Sequence, residues 1–318
     1  MYRPEIKVLD CTLRDGGLIN NHDFDDKFVR AVFRAVCASG VDYIELGYRA
    51  SKDAFSPDKF GSCKFCDEDY IRKIAEGVER TTKISVMVDI GRVDLDQIPP
   101  KKDSIVDMVR VACYIKDVDK AIDLVNHFHE KGYETTVNIM AISTVLTPDL
   151  DEGLAELAQT PVKAVYIVDS FGALFSEQVH FLVKQYAKHL KPKGIEVGIH
   201  CHNHQQLGFG NTIEAIRKGA NYLDATIYGI GRAAGNCPLE LLLAFLKNPK
   251  FDLEPIIEVI EKEVLPLRDK IEWGYIIPYM ITGVLNQHPR AAMALRASEN
   301  KDKFTEFYRS LIHDAEAA

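Results

Sequence analysis

Short runs rich in β-branched and aromatic residues alternate with amphipathic stretches through residues 6–230, and this alternation limits the fold more than any other feature. The runs are "IKVLDCT" (6–12), "YIELGY" (43–48), "KISVMVD" (83–89) and "SIVDMVRVAC" (104–113). They continue as "ETTVNIMAIS" (134–143), "KAVYIVDS" (163–170), "IEVGIHCHN" (195–203) and "NYLDATIYGI" (221–230). Between them lie helical patterns such as "DDKFVRAVFRAVCASG" (25–40), closed by the glycine expected after a helix C-terminus. "KDVDKAIDLVNHFHEKG" (116–132) and "SEQVHFLVKQYAKHL" (176–190) follow the same pattern, the latter opening on a serine suited to an N-cap. The connection "IGRVDLDQIPPKKD" is too short and proline-rich for a full helix, so one crossover is expected to be degenerate. Eight strand–helix repeats are the arithmetic of an α/β fold of the (β/α)8 TIM-barrel type, with a doubly wound open sheet as the alternative. Residues 1–248 are assigned to the barrel, which carries the site, and 249–318 to a C-terminal helical extension packed on it.

The chain has a net charge of −8 and no run of clustered lysine and arginine longer than the Lys101–Lys102 pair, which argues against nucleic acid as a partner. Its seven cysteines are scattered. Cys63 and Cys66 form a C-x-x-C with no second pair, and a free-thiol structural reading is preferred over a redox pair or half a zinc site. No run approaches the ~18 apolar residues of a membrane span, and the N-terminal "MYRPEIKVLD" has no signal-like apolar region. The expected setting is a reducing cytoplasm. The long segment "RASKDAFSPDKFGSCKFCDED" (49–69) reads as a lid or an oligomer contact, making a homo-oligomer possible.

In a TIM barrel the chemistry sits at the C-terminal ends of the strands. Polar residues gather there: Asp10, Thr12, Arg14 and Asp15 after the first run, Glu45 in the second, Ser143 in the fifth, Asp169 and Ser170 in the sixth. His200 and His202 close the seventh, and Asn236 follows the eighth. Strands of a parallel sheet are normally apolar on both faces, so the concentration calls for a function. Two positions apart on a strand, His200 and His202 face the same side, here the lumen, while Cys201 points to the helix layer. They are either a hydrogen-bonded core pair or two metal ligands; Asp15 is the natural third ligand and the Asn236 carbonyl oxygen a fourth. Imidazoles with oxygen donors suit Mn2+, Mg2+, Co2+ or Zn2+. Such an ion chelates a 2-oxo acid, and Arg14 beside Asp15 supplies a fixed cation for developing enolate charge. "YGIGRAAGNCPLE" (228–240) fails the dinucleotide fingerprint, being G-x-G-x-x-x-G after a late strand, and reads as a turn that lets backbone approach the site.

Taken together, "DCTLRDGG", "IELGY", "VDSFGAL", "HCHNHQQLGFGN" and "GIGRAAGNCPLELLLAF" resemble the HMG-CoA lyase-like superfamily of metal-dependent TIM-barrel lyases and synthases. Within it they are most similar to the 4-hydroxy-2-oxoacid aldolases, in which the runs read "HxHxNxxLGxANS", "VDSxGAL" and "GxGAGAGNAPLE". The resemblance spans residues 6–246, and "WGYIIPY" (273–279) is similar to a "GYxxxY" segment of that branch. It implies Asp15, His200 and His202 as metal ligands with Asn236 in or near the shell, Arg14 stabilising the enolate, and Glu45 supporting Arg14 or the metal. It further implies Ser143 and Ser170, beside Asp169, lining the pyruvyl pocket, and Tyr279 (or Tyr275) near the substrate hydroxyl. One departure stands out. Those aldolases carry a catalytic histidine two residues after "RDG-x", where this chain has Leu18, which cannot shuttle a proton. His22, a water held by the ion, or Tyr279 are the alternatives for that step.

The expected activity is divalent-metal-dependent aldol cleavage or addition of a 4-hydroxy-2-oxo acid. A Claisen-type condensing synthase and a barrel that binds a metabolite without catalysis are the competing readings.

Overall fold

The computed structural model describes residues 2–316. Eight parallel strands close into a barrel in sequence order: β1 (Lys7–Asp10), β2 (Tyr43–Tyr48), β3 (Lys83–Asp89), β4 (Met108–Cys113), β5 (Glu134–Ile139), β6 (Ala164–Asp169), β7 (Glu196–Cys201) and β8 (Tyr222–Ala225). Closure is made by β1 on β8, with Leu9 opposite Asp224. The TIM barrel expected from the alternation is the fold found, and the open sheet is not.

Side-chain alternation divides each strand between two environments. Val8, Ile44, Val86, Val109, Val137, Ile167, Ile199 and Leu223 enter the layer between strands and helices, the large apolar core. Burying each such side chain is worth about 1.5–3 kcal/mol, so this layer carries the stability. The opposite parity fills the lumen with Leu9, Tyr43, Met108, Tyr166 and Tyr222. Above these lie charged groups, and Glu45, Arg110 and Asp224 are fully buried there. Burying an ion network is costly or neutral at best, so these residues are present for something other than stability.

The helices of the outer ring show why their segments wind. In α2 (Asp26–Ala38) the Asp25 side chain accepts from the Lys27 N–H, and Phe28, Val29, Val32, Phe33 and Val36 form one buried stripe. Gly40 ends it at φ +71°, a conformation a side chain resists. The ring continues with α3 (Glu68–Ala75), α4 (Val118–Glu130), α5 (Thr147–Leu157), α6 (Ser176–Leu190), α7 (Gly208–Lys218) and α8 (Leu239–Leu246). Ser176 proves to be the first helical residue of α6 rather than its cap: the Gln178 side chain accepts from the Phe175 N–H instead. Between β3 and β4 the chain makes only the 3-10 turns Leu95–Gln97 and Lys101–Asp103, the degenerate crossover that Pro99 and Pro100 imply.

The strands stop earlier than the sequence runs. β1 ends at Asp10, β5 at Ile139 and β8 at Ala225, while β4 begins at Met108 rather than Ser104. Polar residues after those points leave the ladder to build turns, which is where the site forms. After residue 248 come α9 (Glu254–Val259), a π turn (Ile260–Val264), α10 (Leu265–Arg268), α11 (Ile277–Val284), α12 (Arg290–Arg296) and α13 (Phe304–Glu316). α9 lies on α2, Trp273 donates to the Tyr228 carbonyl (3.3 Å), and Asn286 donates to the Ser143 carbonyl (3.3 Å). The C-terminal segment thus reaches the mouth where the strands end. Among the described residues no helix is long and apolar enough to cross a membrane.

Candidate metal centre and active site

The chain leaves β1 through a single helical turn, α1 (Thr12–Gly16). Thr12 Oγ1 holds it in place, donating to Asp10 (2.5 Å) and accepting from the Ile227 N–H (2.8 Å). The turn buries Arg14 and Asp15 at the C-terminal mouth of the barrel. Arg14 spans two carboxylates, with Nε on Glu45 (2.7 Å) and Nη1 on Asp15 (2.5 Å). Burial opposes its charge, but Glu45 and Asp15 outweigh that and keep it protonated. The second oxygen of Asp15 accepts from the Arg232 backbone N–H (3.0 Å). Burial opposes the Asp15 charge too, and Arg14 overcomes it, holding the carboxyl well below its usual range.

On β7 the parity is as the spacing requires. Gly198, His200 and His202 share the lumen face: a Cβ on Gly198 would lie 2.6 Å from the Tyr166 ring, itself a lumen residue. Cys201 enters the helix-side core. Each histidine is oriented from behind. His200 Nδ1 is 3.0 Å from Asp224 Oδ2, and because an ionised carboxylate only accepts, the proton sits on Nδ1. His202 Nδ1 is 3.0 Å from the Asp169 carbonyl, which fixes the same tautomer. Both Nε2 lone pairs therefore face Asp15, at 3.4 Å from Oδ2 for His200 and 3.8 Å from Oδ1 for His202. Burial chiefly holds His202 neutral. At His200 burial is outweighed by the neighbouring Asp15 and Asp224 carboxylates, which raise its pKa.

These atoms fit a divalent ion. The three donor groups lie within 4.8 Å of one another. His200 Nε2, His202 Nε2 and the Asn236 Oδ1 are buried without a hydrogen-bond partner, a costly state for polar atoms unless a ligand satisfies them. Asn236 stands beside the histidines through a bridge to His202. A second cluster, Cys11–His200–Asp224, is also compact. Its atoms are committed elsewhere: Cys11 to the Ala225 carbonyl (3.4 Å) and Asp224 to Arg110 (2.6 Å). The Asp15–His200–His202 set is thus the better metal site.

Beneath it runs a network that sequence reasoning missed. Arg110, fully buried on β4, donates to Glu45 (2.9 Å) and Asp224 (2.6 Å) and stacks on Tyr166 with its guanidinium carbon 4.4 Å from the ring centroid. It connects the support of Arg14 to the support of His200 across the lumen. The available signal was the charge itself: an arginine in "MVRVAC" and an aspartate in "YLDA" are improbable in buried parallel strands.

A cavity of about 760 Å³ opens from Arg14, Asp15, His200 and His202. Leu18 is in its wall, clustered with Tyr48, Met87, Ala112 and Met140. Ser170 lines it, with Oγ accepting from the Ala141 N–H (2.8 Å). Asn138 also lines it, with an unpartnered Oδ1, and had not been singled out from sequence. Six expected site residues are not among those lining it: Glu45 and Asn236, which lie against Arg14 and His202, and four that are placed elsewhere. The Asp169 carboxylate turns away to accept from the Ala173 N–H (2.9 Å) and Leu174 N–H (3.3 Å), contributing its carbonyl to His202 instead. Ser143 lies in the turn Ile142–Thr144 and offers its carbonyl to Asn286. His22 is buried behind Gly17, edge-on to Tyr48 at 5.4 Å, and burial, with Lys64 and Arg14, pushes its pKa down to about 3. Tyr279 packs on Ala233, Ala234 and Ala292 and meets the edge of His204 at 6.4 Å. Tyr275 is exposed. Ser143 Oγ and both ring nitrogens of His22 are buried without a hydrogen-bond partner among the described residues. The placement of these side chains is set by turns and helices that a strand-end count does not register. Cys63 and Cys66 are buried free thiols, as are the other five cysteines.

A family model described as HMGL-like matches residues 5–261. The chain belongs to the HMGL-like family. It is 30% identical over 284 residues to the 4-hydroxy-2-oxovalerate aldolase of Thermus thermophilus, covering 84% of this chain and 80% of that one. It is 28% identical over 264 residues to the oxaloacetate decarboxylase of Mycobacterium tuberculosis, covering 81% and 76%. Among solved structures, the N-terminal domain of a candidate aldolase from Bacteroides vulgatus superposes with a TM-score of 0.77 at 30% identity, covering 93% of this chain and 98% of that one. The hydroxymethylglutaryl-CoA lyase of Pseudomonas aeruginosa, at 15% identity and a TM-score of 0.66, shares the fold. This HMGL-like chain is accordingly an enzyme of the aldolase and lyase class, and the non-catalytic reading is set aside.

Proposed function

We propose that this enzyme cleaves, and in reverse forms, the C3–C4 bond of a 4-hydroxy-2-oxo acid through a pyruvate enolate. The observation that carries the reading is the geometry at Asp15. Two tautomer-fixed imidazoles and a carboxylate converge there, while Arg14, fixed by Nε on Glu45 and Nη1 on Asp15, lines the cavity. Asp15, His200 and His202 are the residues to hold a divalent ion, with Asn236 beside them. Such an ion, bound there, polarises the 2-oxo group as a Lewis acid. Arg14 then donates to the 2-oxo oxygen as the C3–C4 pair becomes the C2=C3 bond and the carbonyl π pair moves onto that oxygen, a fixed charge that needs no reorganisation. Ser170, whose Oγ accepts from Ala141, retains its hydroxyl hydrogen for the substrate carboxylate. The 4-hydroxyl proton passes to solvent water in the open cavity, since Leu18 offers no acceptor. The seven free thiols support the cytoplasm as its setting.

One observation favours a second substrate. Loss of CO2 from a 3-carboxy-2-oxo acid gives the same enolate without any base at a 4-hydroxyl, and the Leu18–Met87–Met140 wall supplies the apolar surroundings that favour loss of a charged carboxylate. The test is pyruvate release from 4-hydroxy-2-oxovalerate and from oxaloacetate, each with and without Mn2+. Mn2+-dependent release from either, abolished in Asp15→Ala, is expected. Release from neither, in protein shown to bind the ion, would overturn the reading. Thiol release from acetyl-CoA with 2-oxo acids would point instead to the Claisen alternative.

A further inference from the structure

The cavity carries more positive charge than a reaction on one carboxylate uses. In a chain of net charge −8, its lining holds six cationic side chains against three carboxylates. Three of the six are matched: Arg14 with Asp15 (2.5 Å), Arg92 with Asp89 (3.9 Å) and Lys120 with Asp117 (2.6 Å). Three are not. Arg232 reaches only the Ser170 carbonyl, at 3.4 Å, and its Nε is buried without a partner. The side chains of Lys116 and Arg290 make no hydrogen bond or ion pair among the described residues.

Their places in the fold set Lys116 opposite Arg232, with Arg290 between them, since its neighbour His288 feels the charge of Arg232 as well. Arg232 follows β8, and its backbone holds Asp15, so its guanidinium belongs to the end of the cavity with the metal ligands and Ser170. Lys116 follows β4, which lies across an eight-stranded barrel from β8. Arg290 opens α12, in a segment tied to the turns after β5 and β6 by Asn286 on the Ser143 carbonyl and His288 on the Phe171 ring, 5.8 Å between centroids. The β5 side is opposite β1 and Asp15. The apolar cluster of Leu18, Met87 and Met140 lines the same cavity. The cavity, about 760 Å³, is in the upper part of the roughly 300–1,000 Å³ range of small-molecule sites, so a five-carbon acid leaves much of it unfilled. Positive groups without counter-ions in a cleft focus a field that draws anions, and the arginine fork matches carboxylate and phosphate oxygens.

Resting on the reaction proposed above, we infer that the natural substrate carries a second anionic group, a carboxylate or a phosphate ester, on the part remote from the 2-oxo acid, and that Lys116 and Arg290 receive it. Arg232, beside Ser170, serves the first carboxylate. The aldehyde formed on cleavage is then itself an anion, joined to the reacting carbon by a short apolar stretch against Leu18 and Met87.

The experiment is pyruvate addition, with Mn2+, to three aldehydes: butanal, succinic semialdehyde of the same chain length, and glycolaldehyde phosphate. A kcat/KM at least about tenfold higher for one or both anionic aldehydes than for butanal is expected, and the better of the two identifies the group. In Lys116→Gln/Arg290→Gln that ratio falls toward unity through a raised KM for the anionic aldehyde, and Lys116→Gln/Arg290→Lys recovers part of it. Exchange of the pyruvate methyl protons with D2O, followed by NMR without aldehyde, separates the two claims. Exchange with no anionic preference, or with a preference these variants leave intact, overturns the second-anion inference and leaves the enolate reading standing. No exchange and no addition overturn both.

Discussion

Arg110 links the two halves of the centre, and its partners show why the pairs must be considered together. Asp224 accepts from both Arg110 and His200, and Glu45 accepts from both Arg110 and Arg14. Asp224→Asn removes the charge that holds the His200 proton on Nδ1. Losing such a supporting carboxylate costs about 10–100-fold in metal affinity. Titration calorimetry with Mn2+ checks this, and unchanged affinity would mean that His200 is oriented by packing alone. Glu45→Gln leaves Arg14 with Asp15 as its remaining carboxylate. Removing one hydrogen-bonded partner of a preorganised cation is expected to lower kcat by about 10²–10³-fold with KM little moved, as for a donor lost from a charge-stabilising site. A rise in KM alone would place Glu45 in substrate binding instead.

At the scale of elements, β7 is the sensitive strand, because Gly198, His200 and His202 lie on one face. Gly198 leaves room for the Tyr166 ring, and an added Cβ would sit 2.6 Å from it. Gly198→Ala is expected to cost about 1–3 kcal/mol by overpacking. Since Tyr166 stacks on Arg110, the strain reaches the metal centre, and Mn2+ affinity should fall along with Tm. A variant of native Tm and native affinity would show that Tyr166 has space to move. The turn α1 is equally confined: a Cβ on Gly17 would lie 2.0 Å from His22 Nδ1. His22 packs on Gly17 there and is not among the residues lining the cavity.

For the whole molecule, a ligand that binds only the folded chain adds stability by mass action. Removing a divalent ion present at 1,000 times its Kd therefore costs about 4 kcal/mol, so EDTA should lower Tm and Mn2+ restore it. No shift with either would argue against an ion between Asp15 and the histidines. Stability also depends on pH through Asp10. Burial raises its pKa to about 7, against hydrogen bonds from Thr12 that favour the charged form. A raised acid binds its proton more tightly folded than unfolded. Its contribution is complete below about pH 4 and lost as pH rises to about 7, at no more than about 1.4 kcal/mol per pH unit. Asp10→Asn is expected to flatten that part of the stability–pH curve, measured by urea unfolding; an unaltered slope would assign it to other groups.

The alternation of strands and helices, the parity of His200, Cys201 and His202, and the cluster of polar residues at strand ends were all legible in the chain. Each follows from local rules: backbone period, burial of one face, and the rarity of charge in parallel strands. The short β3–β4 crossover was legible for the same reason, from Pro99 and Pro100. What the order of residues did not disclose is how side chains turn after the strands end. Asp169 spends its carboxylate on backbone N–H groups, His22 packs on Gly17, and Tyr279 is taken up by alanine packing, although all three lie near strand ends or matching motifs. Arg110 on β4 meets Asp224 on β8, 114 positions away, only because the barrel closes and brings opposite strands within one lumen. Local chemistry determined which face each residue takes; closure of the barrel decided which charges meet, because Coulomb and hydrogen-bond partners depend on distance through space and not along the chain.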